Sequence, residues 1–167
     1  MLDVNYVAEL IHITLQGSPF PDVPRAIPLL LGTAAQESAL TYTEQLGGGP
    51  ALGYWQIESA TEASLWNDFL AYDAPRRHWI VTRCGVDGPN SGALQYDKGY
   101  GILLARLIYF WMDPHPLPDP DDIEEAAKRW KAYYNTPAGA GTEEEYIASY
   151  QTYIAPYYPQ PRRHGQA

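Results

Sequence analysis

Apolar residues recur every three to four positions over most of the chain, the spacing of amphipathic helices. Val4, Val7, Ala8, Ile11 and Leu15 form a first stripe, opened by Asp3 as a cap and closed by Gly17-Ser18-Pro19. After a connector from Pro19 to Pro24, a second stripe carries Ile27, Leu30, Leu31, Ala34, Ala35 and Ser38, with Pro28 expected in its first turn, where a missing N–H costs little. Gly47-Gly48-Gly49-Pro50 interrupts the periodicity, so Thr41 to Trp55 is expected to be a short hairpin or an irregular loop. Ser59-Ala60-Thr61-Glu62 reads as a capping box opening a third helix through Leu65, Trp66 and Phe69. A shorter helix after Pro75 ends at Gly85, and residues 86–92 read as a loop. Tyr96, Gly99, Tyr100, Leu103, Leu107 and Phe110 then mark one long helix whose glycines imply close contact with another helix.

Beyond the break from Pro114 to Pro120, Ile123, Ala126, Ala127, Trp130 and Tyr134 resume the helical period behind an acidic start at Asp119, Asp121 and Asp122. Thr142-Glu143-Glu144-Glu145 is a second capping box, leading into Tyr146, Ile147, Tyr150 and Ile154. The expectation is a mainly α protein forming one domain over residues 1–167, with 156–167 as a C-terminal extension. A chain of 167 residues is long enough to bury about two-thirds of its unfolded surface in one core.

Charge narrows the possible partners. The 20 Asp and Glu outnumber 11 Lys and Arg, which argues against a phosphate-tracking surface for nucleic acid and against adhesion to an anionic membrane. Recognition of a polymer would have to come from a shaped groove, and the 5 Trp and 14 Tyr supply flat apolar faces suited to sugars as well as to the core. With Cys84 alone no internal disulfide can form, so packing must supply the stability. Met1-Leu2-Asp3-Val4-Asn5 has no basic segment followed by an apolar run, so no secretory signal is expected, and no stretch has the length and apolarity of a membrane span. His12, His78, His115 and His164 are scattered without ligand spacing; no metal and no cofactor are expected.

The candidate chemistry begins at Glu37. Leu30 and Ala34 lie seven and three residues before it, so helical geometry puts its carboxyl at the edge of an apolar stripe. That setting disfavours ionisation and raises the pKa, as a general acid near neutrality requires. By position alone a Glu at a helix end is an ordinary surface residue. Two further elements change its weight. The glycine loop leads into Ala51-Leu52-Gly53 and Gln56, where small residues allow close backbone approach and an amide can meet sugar hydroxyls or N-acetyl groups. Tyr133-Tyr134-Asn135-Thr136 puts a phenol and an amide at a helix end.

In this order the three elements resemble those of the lysozyme-like lytic transglycosylases and goose-type lysozymes. The family's catalytic Glu-Ser is matched by Glu37-Ser38, its Gly-Leu-Met-Gln-Ile-Met-Pro-Ala-Thr by Gly53-Tyr54-Trp55-Gln56-Ile57-Glu58-Ser59-Ala60-Thr61, and its Ala-Tyr-Asn-Ala-Gly, more loosely, by Tyr133-Tyr134-Asn135-Thr136. The likeness covers about residues 25–136, departing at Glu58-Ser59, where Met-Pro is usual, and around 114–120.

The resemblance implies a lysozyme-like helical domain with a short irregular or hairpin loop beside a cleft. It also implies cleavage of peptidoglycan glycan strands between N-acetylmuramic acid and N-acetylglucosamine. Glu37 would be the acid, Ser38 would orient it, and Gly53, Gln56, Ile57, Tyr134 and Asn135 would bind substrate. A transglycosylase needs no second carboxylate; for the hydrolytic version the candidates are Glu44 and Glu58, and a chitinase-like lysozyme with two Glu residues is a related alternative. Domains of this kind look like phage-encoded enzymes made in the bacterial cytoplasm and acting on the periplasmic wall, or like virion components beside tail proteins. The alternative is a virion or wall-binding protein that keeps the groove without turnover.

Overall fold

The computed structural model describes residues 1–159. Among them lie eight α-helices and one two-stranded sheet. Two helices form the centre. Helix α2 (Val23–Ser38) is buried on nearly every side from Ala26 to Ala35, and it contacts α1 (Val4–Leu15) and α8 (Glu143–Tyr153) most extensively. Helix α6 (Lys98–Met112) is buried without interruption from Tyr100 to Tyr109. Both are apolar over more than one stripe, as helices surrounded by others must be. Gly32 permits the tightest crossing: a Cβ there would overlap Tyr146 Oη on α8.

Local signals set several boundaries as expected. Asp3 caps α1 through Tyr6 N–H at 2.8 Å. Gly85, with φ +68°, ends α4 (Ala74–Cys84) as expected, while its start lies earlier than expected, capped by Asp73 with Pro75 inside the first turn. Asp122 caps α7 (Ile123–Arg129), and Thr142 and Glu145 form a complete capping box on α8.

Four expectations are corrected. Helix α2 starts before Pro24, so Pro24 occupies the first turn and Pro28 lies inside the helix; the carbonyl left without its donor belongs to the exposed Pro24, where water can serve it. The capping box at Ser59–Glu62 does not form. Glu58 is the cap of α3 (Ser59–Ser64), without a side-chain bond, while Glu62 turns inward. It accepts from Asn90 N–H at 2.8 Å and from the buried Tyr100 O–H at 2.6 Å, two donors that outweigh one exposed backbone amide. The long helix expected from Tyr96 is two helices, α5 (Ser91–Tyr96), which begins inside the stretch read as loop, and α6, because Asp97 ends the first and caps the second through Tyr100 N–H. Finally, Gly101 gives room not to another helix but to the indole of Trp55.

The segment Thr41–Trp55 opens a small hairpin. Strands β1 (Ala51–Leu52) and β2 (Ile57–Glu58) pair antiparallel, Leu52 opposite Ile57, and Glu44 bridges to Leu52. Two helices end in π-type turns, Leu65–Leu70 after α3 and Trp130–Tyr134 after α7. Of the extension expected over 156–167, residues 160–167 lie outside the described residues; before them Tyr158 packs against the core.

Candidate active site

Helix α2 delivers Glu37 one residue before its end, where Ala39 and Leu40 turn into left-handed backbone and send the chain toward the hairpin. The Glu37 side chain is half-buried. Trp130, the first residue of the second π turn, donates its indole N–H to Glu37 Oε1 at 2.8 Å. Burial pushes the Glu37 pKa up from 4.5 to about 7, and the Trp130 hydrogen bond partly opposes that rise. The apolar stripe on α2 implies this direction, and at neutral pH a large fraction of Glu37 holds its proton.

Glu37 forms part of the wall of a cleft of about 840 Å³, bounded by the end of α2, the hairpin, the second π turn and α8. Ser38, Gln56, Ile57, Tyr134, Asn135, Glu44 and Glu58 all border the same cleft. No Lys, Arg or His lines it among the described residues, so its charge is carried by carboxylates alone.

The individual contacts refine several roles. Ser38 Oγ does not touch the Glu37 carboxyl. Its one O–H is shared between Ala34 O at 3.1 Å and Tyr54 O at 2.8 Å, tying the helix end to the hairpin turn, because a buried hydroxyl beside carbonyls bonds them first. Gln56, held at φ +46°, donates its amide to Gly53 O at 2.8 Å and thereby fixes the turn it sits in. Gly53 does not line the cleft: its φ of +73° and the Leu94 carbonyl oxygen, in the space where a Cβ would stand, exclude any side chain, so the close approach is to α5. Gly47 and Gly48 likewise serve a left-handed turn in open space.

Tyr134 Oη donates to Trp55 O at 2.6 Å and its ring stacks on Tyr109 at 5.4 Å, which links the π turn to the hairpin across the floor of the cleft. Burial, followed by the nearby Glu37, holds its phenol well above the ordinary range. Asn135 Oδ1 accepts from Lys131 Nζ at 2.9 Å, and the same ammonium reaches Gly139 O at 2.7 Å. Glu44 is exposed and accepts from Gln95 Nε2 at 2.6 Å; Glu58 is exposed at the start of α3.

Sequence reasoning missed Trp130 as a site residue because its helical spacing with Ala126 and Ala127 marks it as core, which it also is. It missed Tyr42, Leu46 and Tyr153 on the cleft wall, which carry no motif. Among the described residues no group of three His, Cys, Asp or Glu could hold a metal ion, and no helix is long and apolar enough to cross a membrane. Comparison with protein-family models, curated proteins and solved structures finds no match for this chain.

Proposed function

We propose that the protein cleaves the glycan strands of peptidoglycan, with Glu37 as general acid, in the manner of lysozyme-like lytic transglycosylases. The observation that carries the reading is a carboxyl group in the wall of a cleft of about 840 Å³, held by the Trp130 indole N–H and pushed by burial to a pKa of about 7, with no cation among the described lining residues. Such a cleft suits an uncharged polyhydroxylated polymer and gives nothing to a polyphosphate. The mainly helical architecture, with a hairpin between the Glu37 helix and α3, agrees with the resemblance carried by Glu37-Ser38 and the Gly53–Thr61 motif.

In this mechanism Glu37 gives its proton to the glycosidic oxygen between N-acetylmuramic acid and N-acetylglucosamine. The C1–O bond breaks and its electron pair leaves with that oxygen, so positive charge develops at C1. The resulting carboxylate takes the proton of the muramyl 6-hydroxyl, whose oxygen closes on C1 to give an anhydro ring. The proton has then passed from one sugar oxygen to another, and Glu37 is again the acid. Gln56 and Asn135 border the cleft where their amides can meet N-acetyl groups, while Tyr134 shapes its floor. In the hydrolytic alternative, water replaces the 6-hydroxyl, and Glu44 or Glu58 is the group that would orient it. Action on the wall follows release from the bacterial cytoplasm or carriage in a virion.

The test is digestion of purified peptidoglycan by the wild-type protein and by Glu37→Gln, with products read by mass spectrometry. Soluble anhydromuramyl fragments from the wild type alone are expected. Fragments heavier by one water indicate the hydrolase. Binding to intact wall with no fragments released removes the catalytic reading and favours a wall-binding virion component.

A further inference from the structure

Glu37 and Trp130 meet in a way that selects one of the two carboxyl oxygens. An indole N–H is a donor and never an acceptor. The carbonyl oxygen of a neutral carboxyl is a stronger acceptor than its hydroxyl oxygen, so with that N–H on Oε1 at 2.8 Å the neutral acid favours its hydrogen on Oε2. Among the described residues Oε2 has no protein partner, and it is not one of the sealed polar atoms left without one. We infer that Trp130 is a positioning residue for Glu37: it pins Oε1, turns the proton-bearing Oε2 toward the cleft, and sets the pH at which that proton is available. This rests on the proposed role of Glu37 as acid for its consequence in catalysis, though the link between the two side chains can be read without any substrate.

The indole is held on several sides, as a positioning group must be. It is 1% exposed, and its ring lies 5.6 Å from that of Tyr146 on α8. Gly141 lies against its outer edge so closely that a Cβ there would press into the ring, and Asn135 N–H bonds Trp130 O at 2.9 Å across the π turn. The Lys131 ammonium on Asn135 and Gly139 closes the loop that covers this edge. A ring so enclosed cannot follow the carboxylate if the latter swings away, so the carboxylate must come to the ring.

The other titratable groups around Glu37 leave Trp130 its main local support for ionisation. Tyr109 from α6 and Tyr134 from the π turn are the phenols that feel its charge, and burial keeps both neutral. Glu44 from the loop and Glu58 from β2 border the same cleft and bring no positive charge to it. Tyr42 after α2 and Tyr153 on α8 complete the set, with no cation among the described lining residues.

The experiment is a pH titration followed by NMR of the Glu37 side-chain carboxyl and the Trp130 indole N–H in the whole protein. Both signals are expected to move with one shared midpoint, and the indole signal should become flat in Glu37→Gln. In Trp130→Phe, which keeps a ring and removes the donor, the Glu37 midpoint should rise by about one pH unit, the effect of one hydrogen bond to a charged group. Trp66→Phe, which removes the indole donor to Tyr100, should leave it in place. An indole signal flat through the Glu37 transition overturns the inference even if Trp130→Phe fails to fold, and so does an unchanged midpoint in a folded Trp130→Phe. Wall cleavage retained by Glu37→Gln would overturn the catalytic reading instead, leaving the shared titration intact.

Discussion

The hydroxyl of Ser38 reaches the carbonyl of Tyr54 at 2.8 Å, so the residue next to the candidate acid fastens the hairpin that forms the opposite part of the cleft wall. Its role is to hold the cleft together and not to orient Glu37. Ser38→Ala leaves the Tyr54 carbonyl without this donor in a half-buried place. A loss of about 1–2 kcal/mol in unfolding free energy is expected by denaturant titration. The Glu37 midpoint should stay where it is, since Ser38 does not touch the carboxyl; a midpoint that moves as far as in Trp130→Phe would restore the orienting role.

The raised Glu37 pKa makes stability depend on pH with a definite sign. Below about pH 4.5 the folded and unfolded chains both hold the proton, and the contribution of Glu37 to stability is fully present. As pH rises toward 7 the unfolded chain releases the proton first, so the contribution falls and is lost once pH passes the folded value of about 7. Glu37→Gln cannot titrate. Between pH 5 and pH 8 the wild type should therefore lose on the order of 2 kcal/mol of stability relative to Glu37→Gln. Denaturation at the two pH values measures it, and parallel behaviour of the two proteins would contradict the burial of this carboxyl.

Gly53 matters through its backbone. With φ at +73° and Leu94 O against the place of a Cβ, Gly53→Ala should cost roughly 1–3 kcal/mol from backbone strain alone, with the contact adding to it. The loss should appear as a lower melting temperature accompanied by weaker retention on insoluble peptidoglycan, because the turn also carries Gln56. Gly48→Ala, also left-handed but in open space, should cost less.

Helix caps were legible in the sequence where cap and amide are local neighbours. Asp3, Asp73, Asp122 and Thr142 act on amides three residues away, and each caps the helix that its sequence announces. Ser59 and Glu62 have the same spacing and fail, because Glu62 is drawn inward by Tyr100 and Asn90, residues 38 and 28 positions distant. Asp97 splits a continuous apolar stripe for a local reason, by capping α6, that the stripe conceals.

The chain's own pattern determined the mainly helical class and the hairpin as one of two options after the glycines, since both depend on neighbours within a few residues; the apolar stripe pointed to the direction of the Glu37 shift, but the burial that causes it is tertiary. Tertiary structure decided which groups meet. Trp130 is 93 residues from Glu37 and Tyr134 is 79 from Trp55, and nothing local distinguishes an indole that fills the core from one that also holds a carboxyl. Packing of α2 against α8 and the π turn brings them within hydrogen-bond reach, and such directional contacts exist only after the apolar surfaces have fixed the helices in place.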